Sequence, residues 1–72
     1  MTENGKNLLQ SYLVRFGHTH KDAAEVIGIS EKTFTKKVNH YDGADFTLEE
    51  ARALAKFYHI NKSAVVEIFF AA

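Results

Sequence analysis

Leu9, Tyr12, Leu13 and Phe16 recur at i, i+3, i+4 and i+7, the spacing of one helical face. The pattern predicts an amphipathic helix over residues 5–16, closed by Gly17 as the residue beyond its end. Thr19 is placed to cap a second helix over 20–27, with Asp22 in its first turn and Ala23, Ala24 and Ile27 turned inward. Gly28 breaks that helix, Ile29 plugs the turn, and Ser30 caps a third helix over 31–39 anchored by Phe34 and Val38. Residues 40–46 read as a loop carrying Gly43. Thr47 and Glu50 then have the spacing of a capping box for a fourth helix. Leu48, Ala51, Leu54, Ala55 and Tyr58 line the inner face of that helix, and Ile60 closes it. Asn61 caps a fifth helix over 62–69, with Val65, Ile68 and Phe69 as core candidates. No segment alternates with period two long enough to make a strand, so the fold class is all-α, a compact five-helix single domain over 1–72.

Residues 19–39 carry the most specific signal. Ala24 and Gly28 lie four apart and Phe34 six further on. A small residue lets two short helices touch, a glycine makes the turn, and an apolar residue anchors the second helix, which is the requirement of a helix-turn-helix. The third helix then stands as a ridge. Phe34 and Val38 point in, leaving Glu31, Lys32, Thr33, Thr35, Lys36 and Lys37 outside or at the margin. Lys32 and Lys36 share a face. In a major groove, lysine donates to guanine O6 or N7, Glu31 would accept from cytosine N4, and Thr33 would meet a thymine methyl. Thr19, Ser30 and the helix N-termini offer donors to phosphate, and Asn39 and His40 follow the ridge toward the backbone. Taken singly, each of these is an ordinary exposed polar side chain; their shared face gives them meaning.

Charge changes this picture in one respect. The net charge is zero, although phosphate contacts supply most of the affinity of DNA-binding proteins. The distribution is uneven. Residues 1–41 hold six Lys/Arg and four Asp/Glu, a balance of +2; residues 42–72 hold three and five, a balance of −2. Asp42, Asp45, Glu49 and Glu50 follow one another without an intervening base. The plain reading is two solvated faces. The sharper one is a basic face for a polyanion and an acidic face suited to a basic protein, with Asp42, Asp45 and Glu49 as contacts. Phe69 and Phe70 are neighbours, about 100° apart on a helix, so at most one is fully inside; Phe70 is the candidate for a protein seam.

Other classes find little support. The sequence has no paired-carboxylate motif, no nucleophile with a fixed base and no phosphate-binding glycine loop, so no enzyme is expected. His18 and His20 form an H-x-H pair. Yet the four histidines fall on different predicted elements and there is no cysteine, so neither a metal site nor a cofactor is expected. The absence of cysteine fits a reducing cytoplasm. No apolar run approaches about 18 residues, and MTENGKN lacks a signal pattern.

At this point the chain resembles a known family. HKDAAEVIGISEKTFTKKVN, followed after a loop by FTLEEARALAKFYHI, is similar to the repressor and Cro-like helix-turn-helix domain of temperate phages, over residues 9–60. The tail, through VVEIFF, also resembles small phage regulators of Gram-positive hosts, the modulators of repression of lactococcal phages among them. The resemblance implies base-facing roles, or the orienting of base-facing residues, for His20, Glu31, Lys32, Thr33 and Lys36. It implies phosphate-holding roles for Thr19, Ser30, Asn39 and His40. Three positions depart from the family pattern. His20 replaces a common glutamine, Lys37 occupies a usually apolar site, and His40 stands where glycine is usual. The expected function is a phage-type regulator of a lysis–lysogeny switch, acting in the host cytoplasm on double-stranded operator DNA, with a weak homodimer or a partner repressor. The alternative is an antirepressor working mainly by contact with a repressor.

Overall fold

The computed structural model describes residues 1–71. Its elements are α1 (Glu3–Arg15), α2 (His20–Ile27), α3 (Glu31–Val38), a single 3-10 turn (Tyr41–Gly43), α4 (Leu48–Phe57) and α5 (Lys62–Val65), which runs on into a π-helical turn (Val66–Phe70). No strand occurs among the described residues. The chain is all-α, as the periodicity predicts. Among the described residues no helix is long and apolar enough to cross a membrane.

The helix starts follow the capping chemistry. Ser30 Oγ accepts the Thr33 amide at 3.1 Å, and Asn61 Oδ1 accepts that of Ala64 at 2.9 Å. Thr47 and Glu50 form the reciprocal capping box that their spacing predicts. Two starts differ in detail. Thr2 Oγ1 accepts the Gly5 amide at 2.9 Å, and α1 begins at Glu3, two residues before its predicted start at residue 5. Thr19 and Asp22 also form a capping box, in which the Thr19 amide donates to Asp22 Oδ2 at 2.9 Å. That bond, ahead of the Thr19 hydroxyl, holds the Asp22 carboxyl below its ordinary pKa.

Leu9, Leu13, Phe34, Leu54, Tyr58 and Ile68 form the centre of the core, each no more than 1% exposed. Burying a side chain of this size contributes roughly 1.5–3 kcal/mol. Ala23 and Ala24 are also sealed, so α2 presents an almost flat surface to its neighbours. At the core's edge three aromatic rings make edge-on contacts in series, Phe34 to Phe46 at 5.3 Å and Phe46 to Phe69 at 5.7 Å. These contacts tie α3 to the C-terminal turn. Phe70 faces outward, 58% exposed, as the angle between neighbouring helical residues requires.

Two expected core residues lie on the surface. Phe16 is 41% exposed because α1 has already ended at Arg15. Its ring joins those of His18, Phe57, Tyr58 and His59 in an external cluster. Leu48 is 61% exposed. As the first residue of α4 it precedes the face that Ala51, Leu54 and Tyr58 bury. Ile27, Ala55, Val65 and Phe69 are packed at the core's margin rather than sealed within it. The third helix ends one residue early, at Val38, and the fifth converts to a π turn after Val65.

Candidate nucleic-acid interface

The α2–α3 crossing is built on its turn. Gly28 has φ +73° and ψ +31°, a left-handed conformation that glycine adopts without steric cost. From there the Ile29 amide donates to the Ala24 carbonyl at 3.0 Å, closing the helix end in a Schellman motif. Phe34 then drops into the core, 0% exposed, with Val38 one turn later. Glu31, Lys32 and Lys36 stay in solvent, with Thr33 and Thr35 half-buried beside them. Lys32 and Lys36 thus share an open face of α3.

That face is one wall of a shallow cavity of about 430 Å³ lined by Lys32, Thr35, Lys36, Asn39 and Tyr41. Asn39 Nδ2 donates to the Thr35 carbonyl at 3.0 Å, which fixes the side chain over the end of α3. Lys36 Nζ stands 5.8 Å from the centre of the Tyr41 ring, a cation–π distance. Tyr41 is 60% exposed. Sequence reasoning did not single it out, because residues 40–46 carry no helical period. The available signal was an aromatic residue directly before Asp-Gly, a turn-forming pair.

Other predicted contacts sit differently. Lys37 does not belong to the open face: only 15% of its side chain is exposed, and Nζ donates to Glu50 Oε1 at 2.6 Å. It pins α3 to α4. The same carboxylate oxygen accepts the Thr47 amide at 2.9 Å. Burial pushes the Glu50 carboxyl up, but the hydrogen bonds from Lys37 and Thr47 outweigh it and leave the group below its ordinary pKa. Lys37 is therefore accommodated by covering its stem and pairing its tip.

His20 also turns inward. Its Nδ1 lies 3.0 Å from Thr35 Oγ1 and its ring packs 5.1 Å from Phe34, so it braces α3 from α2 instead of reaching outward. Ser30 and Thr19 are exposed at the starts of α3 and α2, but their hydroxyls are engaged: Ser30 Oγ donates to Thr33 Oγ1 at 2.9 Å, and Thr19 Oγ1 to Asp22 Oδ2 at 3.2 Å. His40 is exposed with left-handed backbone, its Nδ1 3.0 Å from the Ala44 carbonyl.

The acidic candidates are dispersed. Asp42 and Asp45 are exposed in the α3–α4 connection, where Asp45 Oδ1 accepts the Phe46 amide at 2.8 Å. Glu49 is exposed on α4, where it borders a second hollow with Val26, Ile27, Thr47, Glu50 and Ala53. Phe70 belongs to the far, C-terminal turn. His18 and His59 meet around Phe16, with ring centroids 5.9 and 6.5 Å from it. The Tyr58 hydroxyl sits 2.8 Å from His18 Nδ1. Burial, and secondarily the Asp22 charge, raises the Tyr58 phenol above its ordinary pKa.

Comparison with protein-family models, curated proteins and solved structures finds no match to this chain.

Proposed function

We propose that this protein is a helix-turn-helix transcriptional regulator of the repressor and Cro-like type, acting in the cytoplasm of a phage host on a lysis–lysogeny switch. Its α3 enters the major groove of operator DNA. Lys32 and Lys36 donate to guanine acceptors, while Asn39 and the N-terminal ends of α2 and α3 face the phosphate strands. The observation that carries this reading is the pair of unpaired lysines on the open face of an α3 whose opposite side is fixed by Phe34, Val38 and the Lys37–Glu50 bridge. A dimer reading two half-sites would compensate for the few contacts of one copy.

Selection of random duplex DNA by the purified chain tests the reading. Enrichment of a short motif, abolished when Lys32 and Lys36 are both replaced by alanine, is expected. Failure to enrich any motif over the random pool would refute it.

A second reading is favoured by the acidic side of the molecule. Leu48 is 61% exposed next to Glu49, and Asp42 and Asp45 are exposed in the preceding connection. An exposed apolar side chain followed by a carboxylate suits a basic protein surface, such as the DNA-reading face of a repressor, and would make the chain an antirepressor. Replacing Asp45 and Glu49 by asparagine and glutamine would then weaken binding to a repressor encoded beside it and flatten its salt dependence. An unchanged salt titration would eliminate this surface.

A further inference from the structure

The 3-10 turn after α3 holds two left-handed residues that are not glycine. His40 has φ +53° and ψ +35°; Asp42 has φ +52° and ψ +35°. Gly43 follows at φ +78°. Non-glycine residues rarely adopt this conformation, although His and Asp are among the more tolerant, and such residues concentrate where function over-determines the backbone. The turn is stapled from within. The Gly43 amide donates to the His40 carbonyl at 3.3 Å, the Ala44 amide to the Tyr41 carbonyl at 3.0 Å, and His40 Nδ1 lies 3.0 Å from the Ala44 carbonyl. Tyr41, between the two strained residues, is the one thus projected. The other two tyrosines, Tyr12 and Tyr58, are buried in the core at 6% and 1% exposure.

We propose that Tyr41 is a nucleic-acid contact residue, gripping the sugar–phosphate strand where it leaves the C-terminal end of α3. The inference rests on the DNA-binding reading and extends it beyond the helix. The ring presents an apolar face to deoxyribose, and the hydroxyl donates to a phosphate oxygen. Lys36 beside the ring and Asn39 in the same cavity supply the charge and the second polar group that a strand would meet. Tyr41 follows the ridge rather than lying on its base-facing side, so its contact is with the backbone and holds register irrespective of sequence. Being uncharged, it displaces no condensed counterion, unlike a lysine.

The test uses the full chain and the duplex it selects. In the wild-type protein, tetranitromethane should nitrate Tyr41 alone, because the other phenols are inside. Bound duplex should suppress that nitration at least several-fold. Tyr41→Phe should weaken binding about two- to tenfold, the range for loss of one hydrogen bond. The loss should be equal across selected and unselected sequences, with the slope of affinity against salt unchanged. Lys36→Ala, run in parallel, should weaken the selected sequence more than unselected ones and change sequence preference. Tyr41 is a surface residue, and circular dichroism of each variant separates lost contact from lost fold. Should Tyr41→Phe show unaltered affinity, or Tyr41 nitrate freely in a complex that Lys36→Ala still weakens, the Tyr41 inference is overturned while the α3 reading stands. If the wild-type chain retains no duplex, both fall together.

Discussion

Gly5 offers the most exacting test of how the helices are assembled. It is the third residue of α1, buried, with its amide held by Thr2. On helix propensity alone, Gly5→Ala would stabilise by up to about 1 kcal/mol. The packing says otherwise. A Cβ at this position would stand 2.9 Å from the Glu67 carbonyl oxygen and 3.2 Å from Ile68 Cα, both backbone atoms of the π turn. Neither can rotate away as a side-chain tip would. Ordinary contact requires α1 and the π turn to separate by about half an ångström, which also loosens Ile68, 1% exposed beneath them. Against backbone atoms that cannot give way, the cost lies in the upper part of the overpacking range, roughly 2–3 kcal/mol, which exceeds the propensity gain and leaves a net loss of about 1–2 kcal/mol. For a domain of this size each kcal/mol moves the melting temperature by about 4–8 °C, so a fall of about 5–15 °C is expected. Urea denaturation followed by far-ultraviolet circular dichroism gives the midpoint, and an unchanged slope would confirm that only stability moved. Gln10→Ala, on the exposed side of the same helix, is the control and should shift little. A Gly5→Ala midpoint equal to or above wild type would show that the close approach of α1 to the π turn is not a constraint.

Three further outcomes are expected. Lys36→Ala should weaken specific DNA binding by about 1–3 kcal/mol if that ammonium reads a base, as measured by gel shift against the selected motif; unchanged affinity would remove it from the reading face. The Lys37–Glu50 bridge should make stability depend on acid. The native Glu50 carboxyl titrates below its unfolded value of 4.5, so its contribution is complete above that pH and is lost as pH falls through the lowered native value. Glu50→Gln, which can keep the capping bond to Thr47, should flatten this part of the stability–pH curve, and a curve of unaltered slope would contradict the assignment. His59 has φ +55° at the Schellman end of α4, where the Ile60 amide donates to the Ala55 carbonyl at 2.9 Å. His59→Gly should therefore raise the denaturation midpoint by about 0.5 kcal/mol, the relief of left-handed strain less the lost backbone restriction and the ring contact with Phe16; a lower midpoint would mean that the aromatic contact outweighs the strain.

The helices after α1 were legible in the sequence because two local signals agreed for each of them, whereas α1 had its apolar spacing but no predicted cap. Apolar spacing marked the body and a capping residue marked the start, as with Ser30 before Phe34 or Thr47 before Leu54. The errors came where one signal stood alone. Phe16 and Leu48 continue an apolar period past the point where the helix or its buried face begins or ends, so periodicity placed them inside and the backbone leaves them out. The π turn was invisible for a different reason. It packs against the bare Cα of Gly5 in α1, a contact between residues more than sixty positions apart.

The candidate surface divides along the same line. Lys32 and Lys36 could be placed on an open face from the positions of Phe34 and Val38, because the three-dimensional fact is a consequence of helical period. The fates of Lys37, His20 and Tyr41 depend on partners that no period encodes. Lys37 looks like a third basic contact until Glu50, thirteen residues on, claims its ammonium. His20 looks like an outward contact until Thr35 and Phe34 close around it. Tyr41 looks like loop until two left-handed residues hold it beside Lys36. The effect is to withdraw the Lys37 ammonium and the His20 ring from the candidate surface and to add one neutral aromatic. A surface so composed would draw less of its affinity from counterion release than a lysine-rich ridge, and more from shape and hydrogen bonding. That is consistent with a chain of zero net charge, and it makes the salt dependence of binding the measurement in which the α3 ridge and the acidic connection should differ most sharply: shallow for duplex DNA at α3, and steep for a basic protein at Asp42, Asp45 and Glu49.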